Sequence, residues 1–161
     1  MAARGEGAQR DKLPTIGFLG ASTPVAWGNL VTAFERRMRE LGWIEGRTIA
    51  IEYRWGEGRP ERFAEIAAEF VRLKVDVIVT SGTAVSAAKQ ATSTVPIVFA
   101  VAVDPVRGGL VGSLARPGGN VTGLSIQAPE LVGKRLELLR EVVPGLRRFA
   151  HNFYPRPSRP S

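Results

Sequence analysis

Three short stretches concentrate hydroxyl, glycine and carboxylate groups of the kind that hold a small polar ligand. Gly20-Ala-Ser-Thr-Pro24 sets two hydroxyls and free amides just ahead of a helical pattern. Thr80-Ser81-Gly82-Thr83 adds three hydroxyls, and Gly82 lets a ligand approach the backbone. An Ala-rich helix pattern follows. The first turn of such a helix carries unsatisfied N–H groups and a positive dipole end, a natural seat for a carboxylate or other anion. Asp104, just before Pro105, is a carboxylate that can accept a ligand ammonium group. Each feature also has a plainer use. Ser and Thr are ordinary helix N-caps, and Asp104 can cap a helix whose first position is Pro105. The candidate ligand-binding set is Ser22, Thr23, Ser81, Gly82, Thr83 and Asp104.

Catalytic arrangements are poor by comparison. The only histidine, His151, lies close to the C-terminal end, so a Ser-His-Asp arrangement would have to rest on it. No carboxylate pair stands out as an acid/base couple. There is no G-x-x-x-x-G-K-[ST] phosphate loop, and Gly17-x-x-Gly20 is not dinucleotide spacing. One histidine and no cysteine give no metal-ligand cluster. No catalytic residue, cofactor or metal is expected. Trp27, Trp43 and Trp55 each lie near a loop. Stacking on an aromatic ligand is conceivable, but half-buried amphipathic rings near element ends are the favoured reading.

These loops must be positioned by the elements between them. Thr15–Gly20 is a short apolar run and reads as a first buried strand. A helix follows from about Trp27 to Leu41, with Leu30, Phe34, Met38 and Leu41 at helical spacing and Gly42 as its stop. Thr48–Arg54 reads as strand two, and Pro60–Leu73 as a helix with Pro60 in its first turn. Val75–Thr80 and Ala84–Ala91 form the third pair. Pro96–Ala100 is strand four, followed by a short helix over Val106–Leu114. Asn120 is a turn residue tolerating left-handed geometry. Val121–Ser125 is strand five, with Thr122 facing either core or crevice, and a helix runs from Pro129 to about Val143. This alternation predicts an α/β fold: three αβα layers around a doubly wound, parallel five-stranded sheet, in the order 2-1-3-4-5. In such a sheet the loops at the C-terminal strand ends share one crevice.

Composition narrows the function classes. The chain has 161 residues, 44% hydrophobic and 23% charged, with a net charge of +7. Residues 13–146 hold 15 Lys/Arg against 13 Asp/Glu, a net of +2, and residues 147–161 alone carry +4. A nucleic-acid footprint would instead cluster charge on the folded body, so none is expected. No apolar run is long enough to span a membrane, so no membrane insertion is expected. Residues 1–12 lack an apolar segment and do not read as a signal peptide. The expected organisation is a disordered N-terminal tail over 1–12, a lobe over 13–146 and an aberrant, disordered tail over 147–161.

Several segments in order carry a resemblance. They are Ile16-Gly-Phe-Leu-Gly20, Gly42-Trp-Ile-Glu-Gly46, Ile51-Glu-Tyr-Arg-Trp55, Ala91-Thr-Ser-Thr-Val-Pro-Ile-Val-Phe99 and Asp104-Pro105. Ser113-Leu-Ala-Arg-Pro-Gly-Gly-Asn-Val-Thr-Gly123 and Lys134-Arg-Leu-Glu-Leu-Leu-Arg140 complete the set. Over residues 14–148 the chain resembles the ABC transporter substrate-binding proteins of the tryptophan/tyrosine-binding-like family. The resemblance implies a type I periplasmic binding protein fold, with two lobes around a cleft, no enzymatic activity, and delivery of a small solute to ABC permease subunits. It implies that the loops after strands one, three and four line lobe one, at Ser22 and Thr23, Ser81 to Thr83, and Asp104. The family often has Gly-Thr-Pro at the third-strand loop, where this chain has Gly82-Thr83-Ala84. It also implies a periplasmic or extracytoplasmic location, while the lack of a signal peptide leaves a cytoplasmic one open. Three prolines among the last seven residues cannot support an interior strand. The expectation is therefore a truncated or frameshifted N-terminal lobe that binds weakly or not at all alone. The alternative is the ligand-sensing domain of a cytoplasmic regulator, against which the lack of a helix-turn-helix before strand one counts.

Overall fold

The computed structural model describes residues 12–126 and 131–143. The chain divides between Ile126 and Gln127 into two compact units. In the first, apolar β-branched runs form strands and the intervening amphipathic segments form helices. The order is β1 (Thr15–Gly20), α1 (Pro24–Glu40), β2 (Ala50–Trp55), α2 (Pro60–Leu73), β3 (Val77–Thr80), α3 (Ala84–Ala91), β4 (Ile97–Val103) and β5 (Val121–Ile126). In the second, α4 spans Leu131–Val142.

All five strands are parallel, in the order β2-β1-β3-β4-β5. The chain steps from β1 to one side and then from β3 onward to the other, so the topological switch point lies between β1 and β3. Side chains alternate across β1. Phe18 meets Phe34 and Trp27 of α1 on one face, and Gly17 leaves its space to the Phe70 ring of α2 on the other. Helices therefore cover both faces, as the alternation predicted.

The two faces are unequal. α2 buries Phe63, Ile66, Ala67 and Phe70, and α3 buries Ala84, Val85 and Ala88. These pack on Leu19, Ile78, Ile97, Phe99 and Val121 in one continuous core. α1 buries no residue fully. Of its apolar stripe, Phe34 and Met38 are half-buried while Leu30 and Leu41 are exposed.

Several expectations change. Helix one starts at Pro24, not Trp27, because Thr23 caps it through its hydroxyl and Pro24 needs no amide partner. The helix expected over Val106–Leu114 is a single turn, closed by the amides of Gly108 to Asp104 O and Gly109 to Val106 O. The left-handed Gly109 ends it. Asn120 is not left-handed. Gly118 and Gly119 take the positive φ values, and the Asn120 amide donates to the Thr92 and Val95 carbonyls instead. Thr122 is exposed. Strand four runs to Val103 through an irregularity between Phe99 and Ala102. Residues 1–11, 127–130 and 144–161, including His151 and both expected tails, lie outside the described residues but for Lys12.

Candidate functional site

The sheet brings all six candidate residues to one edge. Ser22 and Thr23 follow β1, Ser81 to Thr83 follow β3, and Asp104 follows β4. Register levels the ends of β1 and β3, since Phe18 pairs with Val79, while β4, where Phe99 pairs with Thr80, runs four residues further to Val103 before Asp104. Neighbouring strands lie about 4.8 Å apart, so β1 and β4, on either side of β3, are roughly 10 Å apart across the sheet. The switch point falls between the first two loops.

Each loop is fastened from below. The buried Thr80 hydroxyl donates to Leu19 O at 3.0 Å, tying β3 to β1 one residue before Ser81. The Gly82 amide donates to Val101 O at 3.1 Å, tying the loop after β3 to β4. Gly82 has φ +61, so the turn that presents these amides suits glycine. Lys89 of α3 donates to the Gly109 and Leu110 carbonyls and pins the turn after Asp104.

The plainer uses are realised at two positions and not at the others. Thr23 Oγ1 accepts the Ala26 amide at 3.3 Å as an N-cap, although its own proton remains free to donate. Asp104 Oδ1 accepts the Arg107 amide at 3.1 Å, and Oδ2 lies 3.5 Å from Arg107 Nε. It caps the single turn, with a left-handed φ of +46 uncommon for a residue other than glycine. Thr83 sits at the N-cap of α3 without a capping side-chain bond. Among the described residues, the hydroxyls of Ser22, Ser81 and Thr83 have no protein partner. These groups, the start of α3 and the Asp104 carboxylate form a row of donors ending in one acceptor.

Trp27 and Trp55 follow the structural reading, and Trp43 does not. Trp27 and Trp55 meet edge to face, with centroids 6.2 Å apart, and both pack on Phe18. Trp43 is exposed and lies beside a concavity lined by Glu35, Met38 and Ile51 that holds little more than one water. That concavity is between α1 and β2, away from the loops.

Titration is perturbed at three groups in and just after β2. Burial, then a 2.8 Å hydrogen bond to Glu35, pushes the Tyr53 phenol well above its ordinary range. A hydrogen bond to Glu69 raises the Arg54 guanidinium further. Arg62 first, then Arg59, hold the Glu57 carboxyl below the ordinary glutamate range. The role of Glu57 and of the buried Thr80 was not read from the sequence. The glycines flanking Glu57 were the available signal for the first, while nothing local marks the second. Among the described residues no group of three His, Asp or Glu could hold a metal, and no helix is long and apolar enough to cross a membrane.

The sequence model of the family described as ABC transporter substrate binding protein matches residues 26–156. The tyrosine-binding protein of Clostridioides difficile (strain R20291) is 35% identical over 112 residues, covering 69% of this chain and 32% of that protein. Among solved structures, a conserved domain protein from Vibrio cholerae O1 biovar El Tor superposes with TM-score 0.74 at 32% identity, over 83% of this chain and 45% of the other. The ABC domain of a Streptococcus pneumoniae protein in complex with L-Trp gives TM-score 0.65 at 26% identity, over 71% of this chain and 39% of the other. The chain thus spans less than half the length of each.

Proposed function

The chain belongs to the ABC transporter substrate binding protein family, and from that premise we propose that it forms one wall of a binding cleft for a small amino acid, an aromatic one foremost. In this reading the hydroxyls of Ser81 and Thr83 and the start of α3 receive the ligand carboxylate, and Ser22 contacts the ligand from the loop after β1. Asp104 receives its ammonium group, exchanging the exposed Arg107 for it. The observation that carries the proposal is the gathering of the loops after β1, β3 and β4 at one sheet edge, with hydroxyls on the first two that have no protein partner among the described residues and a carboxylate on the third. The aromatic preference is supported by the tyrosine-binding relative and the L-Trp complex.

In the complete protein a second lobe would supply the opposite wall. Hinge closure would bury the ligand, and the closed form would dock on an extracytoplasmic face of a permease. The six residues supply contacts from one side, which leaves much of a bound ligand in water. Calorimetry of the 161-residue chain against a panel of amino acids should therefore give dissociation constants of about 1 mM or weaker. Micromolar binding would contradict the one-wall reading. Binding that ignores removal of the ligand's ammonium or carboxylate group would contradict the assigned contacts.

A further inference from the structure

The loop carrying Ser22 and Thr23 is held by a strained turn that belongs to the next strand. β2 ends at Trp55, and the following backbone folds over the end of β1. The amides of Gly56, Glu57 and Gly58 donate to the carbonyls of Gly20, Ser22 and Ala21 at 2.8, 3.1 and 2.9 Å. The turn is closed by the Arg59 amide on Gly56 O at 2.9 Å. Its central residues are both left-handed, Glu57 at φ +55 and Gly58 at φ +72. That is the signature of a type I′ turn, whose usual occupants are Asn, Asp and Gly. Gly58 fits this preference and Glu57 does not.

What offsets the mismatch is the Glu57 carboxylate. Its Oε2 lies 2.8 Å from Arg59 Nη2 and 2.6 Å from Arg62 Nη1 of α2. One carboxylate oxygen thus joins the centre of the turn to its last residue, Arg59, and to the first turn of α2. We propose that the Gly56–Arg59 turn is a brace for the loop after β1, and that Glu57 is its positioning residue, holding Ser22 and Thr23 at the sheet edge through the Arg59 and Arg62 pairs. The ligand-side part of this claim rests on Ser22 and Thr23 belonging to the cleft wall.

Amide hydrogen exchange and ¹H–¹⁵N shifts of the ligand-free 161-residue chain test it. In E57A the amides of positions 57 and 58 should exchange about tenfold faster or more, and the Ala21, Ser22 and Thr23 resonances should move. Exchange in β3 and α2 should stay as in the parent. E57N, which favours the left-handed turn without a carboxylate, should restore slow exchange to within about threefold. Unchanged exchange at positions 57 and 58 in E57A overturns the proposal. So does E57N exchanging as fast as E57A. Should E57A fail to fold, the R59A/R62A double variant carries the same expectation at the same amides, and unchanged exchange there overturns it equally. Lack of amino-acid binding by the parent chain would instead refute the cleft reading and leave the brace standing.

Discussion

Thr80→Val removes one hydroxyl at the topological switch point with little change of shape. Thr80 is 1% exposed, and its hydroxyl donates to Leu19 O at 3.0 Å across the β1–β3 junction. Valine fills the same space, so packing of Ile78, Leu19 and Phe99 around it is kept. The loss is one buried hydrogen bond, about 0.5–1.5 kcal/mol net, plus part of the penalty for a carbonyl left with one partner fewer. The sum is about 1–2 kcal/mol. For a chain of this length that lowers Tm by roughly 3–6 °C. Urea unfolding followed by circular dichroism should show a lower midpoint with an unchanged slope. Thr80→Ser keeps the hydroxyl and loses a methyl group, so it separates the bond from the packing. If Thr80→Val is as stable as the parent while Thr80→Ser is not, the hydroxyl tie contributes nothing and the reasoning fails.

Phe70→Ala, at the centre of the α2 face and fully buried, should cost about 3–5 kcal/mol in urea unfolding. Leu30→Ala on the thinly packed α1 should cost less than about 0.5 kcal/mol, and equal losses would contradict the unequal faces. Asp104→Asn should leave stability nearly unchanged, because Asn tolerates φ +46 and can still accept the Arg107 amide. The same change should weaken amino-acid binding about tenfold to a hundredfold in an NMR titration, by loss of a charged hydrogen bond. The Glu57 carboxyl is held below its unfolded value, so its contribution is complete above the ordinary glutamate range and is lost as pH falls through the lower folded value. Carboxyl ¹³C titration should give Glu57 a midpoint below those of exposed glutamates such as Glu61, and an ordinary midpoint would contradict the two arginine pairs.

Much of this was legible in the chain. Thr15–Gly20 reads as a strand because six residues with one turn signal after them leave little else. Pro60 marks the start of α2, and V-D-V-I-V followed by T-S-G-T marks a strand and its loop. The parallel order, and with it the gathering of Ser22, Thr23, Ser81, Gly82, Thr83 and Asp104 at one edge, follows from alternation and right-handed crossovers. The misses have local causes. Pro24 does for α1 what Pro60 does for α2, yet Ala21–Pro24 also reads as loop. Val106–Leu114 has apolar spacing, but Gly108-Gly109 breaks the helix after one turn. Asn120 serves by its side chain across 25 and 28 residues, and Thr80 reaches Leu19 across 61. No local pattern encodes bonds of that span.

The most direct test of the cleft wall is a ¹H–¹⁵N titration of the 161-residue chain with L-tryptophan. The account predicts saturable shifts confined to Ala21–Thr23, Ser81–Thr83 and Asp104, at millimolar ligand. Shifts centred instead on Trp43 and Glu35, or none at the three loops up to the solubility of the ligand, would contradict it.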